Sequence, residues 1–271
     1  HMHAFFWPGW SPLRDAQGRA YGPGSLCEGG EPVARPDLMI EPVAITFGPF
    51  HLRHQPVYRP CDVMVAVELC DLARVRCREL LGVERAGTLT ITSPDGFPAY
   101  QRRTGRGAWR LYALAGDSCV IQPVATLMAR TLLGHALVEM TVEWELAGAA
   151  GGALPFWMRC GLAAYLADSG VHLNNFMAPL RSAGPVLLRP AAVDSILGAP
   201  PAADPGLDQA LFRRASYSAF LMAWRLVEEN GGFAPLRRLL ARLGAGEDFA
   251  AACREAYGLD PAALAARLDP V

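Results

Sequence analysis

Apolar positions change their spacing several times along this chain, and each change marks a different kind of element. Through "IEPVAITFGPFHLRH" (residues 40–54) apolar and polar residues begin to alternate, the two-residue period of one or two half-buried strands. From "RPCDVMVAVELCDLARVRCRELLGV" the period becomes helical. Val63, Ala66, Val67, Leu69, Cys70, Ala73, Val75, Cys77 and Leu80 supply the apolar stripe, and Gly82 closes it. Cys70 and Cys77 lie one heptad apart on that stripe and read as core packing. "GTLTITSPDGFPAYQRRTG" is a strand of β-branched residues ended by a Pro-Asp-Gly turn, and "AWRLYALAGDSCVIQP" gives one or two more strands. Residues 124–147, "VATLMARTLLGHALVEMTVEWELA", predict one long helix starting after Pro123. "GGALPFWMRCGLAAYLADSG" predicts a glycine-rich loop and a second helix.

The ends of the chain differ from this middle. The first 50 residues, rich in Gly, Pro and aromatics ("FFWPGWSPL", "YGPGSLCEGGEP"), read as an irregular arm. Residues 170–208 read as loop-rich, with repeated prolines, and the tail reads as three helices with a short "DPAALAARL" behind them. A small sheet with helices followed by helices alone predicts an α+β fold. The expected division is an arm over 1–50, an α+β subdomain over 51–170 and a helical subdomain over 171–271.

Composition narrows the class. At 271 residues, 52% apolar and 19% charged, the chain can bury a substantial core, which excludes a disordered protein. A net charge of −1 gives no bulk field to draw it to nucleic acid. No apolar run reaches the ~18 residues needed to span a bilayer. All 25 basic residues are arginine, which reads as the mark of a GC-rich bacterial genome. Seven cysteines occur without any CxxC pair, so neither a zinc knuckle nor a dithiol motif is present. Their odd number favours a reducing compartment such as the cytoplasm. The opening "HM" has the look of a cloning remnant, which leaves room for an exported protein whose leader was removed.

One stretch carries candidate chemistry. In "LLGHALVEMTVE" a single histidine, His135, is followed four residues later by Glu139, so the two share a helical face. Downstream comes "LPFWMRCGLAAYLAD". Together with "RELLGVERAGTLTITSPDGF" before them and "LVEENGGFAPLRRLLARLGAGEDFAAACREAYGLDPAALAARL" after, these stretches resemble the gluzincin zinc peptidases of thermolysin type. In that group a helix precedes a sheet whose edge strand lies by the substrate. A helix with HExxH follows, then a second helix beginning W-x-x-E-G-L-A-x-Y, and a helical half closes the cleft. The resemblance implies a gluzincin-like α+β fold. By position, His135 matches the first zinc histidine, Glu139 stands at the second, Cys160 at the third ligand, and Tyr165 at the tyrosine of the second helix. Ala136 stands where the catalytic glutamate belongs.

That pattern sets two expectations. Hydrolysis in such a site needs a metal to acidify water and a carboxylate to take its proton. Ala136 offers no acceptor, and a general base contributes roughly 10²–10⁴ in rate. The first expectation is therefore a metallopeptidase-like protein without peptidase activity, keeping its cleft for a peptide, a small molecule or a partner. The second is a metal-dependent enzyme of altered reaction type, with His135, Glu139 and Cys160 holding zinc or another transition metal. Tyr165 and Tyr217 are the candidate hydrogen-bonding catalytic groups, with Arg214 nearby. Glu143 and Glu145 read as a solvated acidic face. His51 and His54 read as surface or core histidines, and His172 lies just after the second helix. Ser118 or Cys119 would need a base to act as nucleophile, and the sequence specifies none. If the chain were unrelated to such peptidases, the helices over 124–147 and 157–168 would not pack together.

Overall fold

The computed structural model describes residues 41–57, 59–167, 187–200 and 209–268. Residues 1–40 of the arm expected over 1–50, most of the proline-rich stretch and His172 lie outside these residues, while 43–47 of that arm form an edge strand of the sheet. Residues 41–271 gather into one unit, mixed α+β as the pattern predicts, with a five-stranded sheet and ten α-helices among the described residues.

The strands are β1 (Val43–Phe47), β2 (Phe50–His54), β3 (Leu89–Thr92), β4 (Tyr112–Ala115) and β5 (Ser118–Ile121). They lie in the order β1-β2-β3-β5-β4, with β2, β3 and β5 parallel and both edge strands antiparallel. Alternation decides which face is covered. Phe50 and Leu52 of β2, Leu89 and Ile91 of β3, and Cys119 and Ile121 of β5 point inward, while His51, Arg53 and Thr90 point out. Two helices cover the inner face. Helix α1 (Pro60–Arg76) presents Val63, Ala66, Val67 and Cys70, and runs into a π-helical turn (Cys77–Leu81) closed by Gly82 at φ 69°. The second is α4 (Leu133–Ala150). Burial pushes both the Cys70 and Cys77 thiols up to about 12, as expected of packed, unreactive cysteines.

Three elements depart from the sequence reading. The Pro-Asp-Gly segment leads into a helix, α2 (Phe97–Thr104), with Pro98 in its first turn and Gly105 at φ 65° past its end. The helix expected over 124–147 is two helices, α3 (Val124–Ala129) and α4 (Leu133–Ala150). Between them Thr131 adopts φ 56°, a left-handed conformation that costs a β-branched residue energy. The turn is closed by Thr131 N–H donating to Met128 O and Leu132 N–H to Leu127 O. A short helix, α6 (Pro190–Leu197), stands within the loop-rich stretch.

The remaining helices are α5 (Phe156–Ala167), α7 (Gln209–Glu228), α8 (Phe233–Gly244), α9 (Phe249–Tyr257) and α10 (Pro261–Leu268). They build a second core around Met158, Leu162, Met222, Leu226, Leu236, Leu240, Cys253 and Leu264. The boundary expected at residue 170 falls inside this core. Helix α4 belongs to both cores: Ala136, Leu137, Met140 and Trp144 face the sheet, and Val142, Leu146 and Ala150 face the helices. It packs on α1, α5 and α8. Helices α4 and α5 are in contact. Helices α5 and α7 approach closely, because a Cβ at Gly161 would lie 2.3 Å from the Ala219 carbonyl oxygen.

Candidate functional site: a cavity beside the edge strand

Two faces of α4 are spent on the two cores, and a third is left. His135, Glu139 and Glu143 recur every four residues along it and line a cavity of about 230 Å³. The opposite wall is edge strand β4, with Tyr112, Ala113 and Leu114, preceded by Arg106, Trp109, Arg110 and Leu111. Helix α5 contributes Phe156, Arg159, Cys160 and Ala164. Leu197 of α6 and Phe212, Ser216 and Ala219 of α7 complete the enclosure.

All three residues expected to hold metal therefore open onto one cavity. His135 Nε2 lies 3.4 Å from Glu139 Oε2. Two ligands of one zinc ion stand about 3.0–3.5 Å apart, given bond lengths near 2.0–2.2 Å in tetrahedral geometry. That pair fits a shared ion. Yet among the described residues no group of three or more His, Cys, Asp and Glu side chains is placed to hold one. The trio fits a metal only in part.

The two candidate tyrosines lie elsewhere. Tyr165 donates to Glu228 Oε1 at 2.5 Å and packs against Phe220 and Phe233. Burial and this acceptor raise its phenol, and it does not line the cavity. Tyr217 is also absent from the lining; α7 turns Phe212, Ser216 and Ala219 to it instead. Asp117, Ser118 and Cys119 are outside as well. Asp117 accepts from Trp144 Nε1 at 2.9 Å and pairs with Arg85 at 2.9 Å, while Cys119 is fully buried. His51 points away from the sheet core and His54 into it, with 1% exposure.

Glu143 and Glu145 are not a solvated face. Glu143 is buried against the cavity, with Tyr112 Oη donating to its Oε2 at 2.8 Å and Arg159 Nε 2.9 Å from its Oε1. Glu145 is completely buried behind it, paired with Arg74 at 2.7 Å. Alternation of charge with apolar residues on α4 looked like a wet surface, but tertiary partners satisfy both carboxylates.

Glu139 is treated differently. Burial, reinforced by the negative Glu143 one turn away, pushes its carboxyl up to about 8, against the pull of Arg110. The fifth of its side chain that is exposed opens into the cavity rather than into bulk water, so solvent relieves little of that cost. The Cys160 thiol and Tyr112 phenol are raised too, first by burial and then by the neighbouring glutamates. Burial thus favours the un-ionised form of Glu139, Cys160 and Tyr112 alike.

Three arginines, none a sequence candidate, complete the site. Arg106 donates to Ala199 O at 2.8 Å, and Arg110 to Leu197 O at 2.8 Å, tying the loop before β4 to the C-terminal end of α6. Arg110 also lies over Phe212, with its guanidinium carbon 4.5 Å from the ring centroid. Arg159 stacks on Phe156 at 4.5 Å. The one signal that could have found Arg159 is its place beside Cys160, one residue before a proposed ligand.

Ala136 is the residue the cavity does not see. It is fully buried in the sheet-side core and absent from the lining. No family model, no curated protein and no solved structure matches this chain.

Proposed function

We propose that this chain is a divergent metallopeptidase-like protein, of gluzincin type, that has lost peptide hydrolysis and keeps its cleft to bind a peptide or small molecule. The observation that carries this reading is the position of Ala136. Where such a peptidase holds the carboxylate that deprotonates water, this chain has a methyl group sealed in the core. Glu139 does not replace it by position: four residues on from His135 it shares that residue's helical face, with its Oε2 3.4 Å from His135 Nε2, and so stands as a ligand would rather than as the base one residue along. The order of elements also supports the kinship. Helix α1 precedes three of the five strands of a mixed sheet, the antiparallel edge strand β4 borders the cavity, and α4 and α5 bring His135 and Cys160 to the same space.

The His135–Glu139 separation favours a second reading, in which His135, Glu139 and Cys160 hold a transition metal for a different reaction. One experiment separates the two. Protein freed of His1-Met2-His3, whose imidazoles are competent metal ligands and would confuse the count, is subjected to elemental analysis and to assay on a fluorogenic peptide library with added zinc. No hydrolysis and no stoichiometric metal is the expected result. Stoichiometric metal that disappears in His135→Ala establishes the second reading, and peptide hydrolysis sinks the first.

A further inference from the structure

Of the three guanidinium groups in the cavity, Arg159 is held in the way an anion receptor is held. Its Nε faces Glu143 Oε1 at 2.9 Å, and its plane rests on the Phe156 ring. Those two contacts fix both the direction and the tilt of the group. Its two Nη atoms, with four N–H donors between them, have no hydrogen-bond or ion-pair partner among the described residues, and the residue lines the cavity. The side chain is 21% exposed and only its Nε is sealed from solvent, so the fork opens into the cavity where an acceptor can reach it. A carboxylate matches it, because two parallel N–H···O bonds suit a planar guanidinium edge.

The rest of the lining describes the body of such a molecule. Leu111, Leu114, Leu197 and Phe212 offer apolar walls. The volume, about 230 Å³, lies below the ~300–1,000 Å³ of pockets for drug-sized ligands. An inorganic anion would leave those walls against water.

We infer that the cavity takes a carboxylic acid with a short apolar body, its carboxylate seated across Arg159 Nη1 and Nη2 and its hydrocarbon against Leu111, Leu114 and Phe212. This rests on the ligand-binding reading above and gives it a chemical class. The carboxylate comes either from a free organic acid or from the C-terminus of a peptide.

Calorimetric titration of the whole chain with four probes of similar size tests this: hexanoate, N-acetylleucine, hexanamide and hexylamine. At least one of the two carboxylates should bind, and the amide and amine at least ten-fold more weakly. Preference for hexanoate indicates a free acid, and preference for N-acetylleucine a peptide end. Arg159→Lys, which keeps the charge beside Glu143 but not the fork, should lower carboxylate affinity at least ten-fold while circular dichroism stays unchanged. Should that variant fail to fold, Arg159→Gln combined with Glu143→Gln removes both charges together and should show the same loss. Unaltered carboxylate binding in a folded Arg159 variant overturns the inference, as does silence from all four probes. Preferential binding of hexanamide or hexylamine overturns it while leaving a ligand-binding cleft in place. Peptide hydrolysis would instead remove the reading underneath.

Discussion

Glu139 and Glu145 sit on the same helix, less than two turns apart, and the protein treats them in opposite ways. Glu145 is fully enclosed, yet its oxygens are met by Arg74 Nε at 2.7 Å and by the Arg85 backbone N–H at 2.5 Å. Burial raises its carboxyl, but both partners pull it back. Glu139 is enclosed beside a second carboxylate, and among the described residues its one close polar partner is His135. Its carboxyl accordingly rises to about 8. One acid is a tie between α1 and α4. The other carries an electrostatic cost that Arg110 offsets only in part, the kind of cost that clusters where something binds or reacts. Burial alone therefore does not mark a functional acid; the lack of compensation does.

The sharpest way to break the contrast is to orphan Glu145. Arg74→Ala should cost about 3–5 kcal/mol in urea unfolding, since it strands a buried charge. Replacing Arg74 and Glu145 together by leucine should recover most of the loss. A cost below about 1 kcal/mol for the single variant would show that the pair is not the tie described here.

Restoring the peptidase residue comes next. Ala136→Glu forces a carboxyl into the sheet-side core and should destabilise by about 3 kcal/mol, with no gain in peptide hydrolysis. A stable, hydrolytic variant would show that position 136 can reach the cavity.

The third change works on Glu139 itself. Its carboxyl titrates higher in the fold than in the unfolded chain, so the unfolded chain releases its proton first as pH rises. The group's contribution is intact below about 4.5 and is lost progressively as pH approaches about 8, then stays level. That loss should amount to about 2–4 kcal/mol, at 1.36 kcal/mol per pH unit with allowance for cavity water. Glu139→Gln should lack it, so the variant's stability between pH 5 and 9 should run flatter than the parent's. Parallel profiles would mean that Glu139 is ionised throughout.

The smallest effect belongs to His135→Ala, which removes a partly exposed contact and should change stability by about 1 kcal/mol or less. A much larger loss, widened further because added zinc stabilises the parent and not the variant, would bring the metal reading forward.

Much of this architecture is legible in the order of residues. The β2 alternation, the α1 stripe ending at Gly82 and the tail helices all follow from local spacing, because one buried face per element leaves a periodic signature. Helix α4 is where that signature fails. It has apolar residues on two faces and acids between them, so its pattern does not tell an enclosed cavity wall from a wet surface, and Glu143 and Glu145 look solvated in sequence though both are buried. The break at Thr131 had no glycine or proline to announce it; backbone hydrogen bonds and packing impose it. Helix α2, by contrast, is signalled by Pro98 and Gly105, next to a Pro-Asp-Gly turn signal that is stronger still. In the cavity, His135, Glu139 and Cys160 could be named from sequence because a motif groups them. Arg106, Arg110 and Arg159 could not, because what makes them part of a site is Ala199, Leu197, Glu143 and the rings beneath them, all remote in the chain.

Gly161 has a consequence for how this cavity could change over time. The helix that carries Arg159 and Cys160 rests there directly on the backbone of α7, with no side chain between. That contact works as a spacer of zero thickness, setting the gauge of the chamber from behind its wall. A methyl group at that one position would push the two helices apart and enlarge the chamber, altering the size of guest admitted while leaving each lining residue as it is.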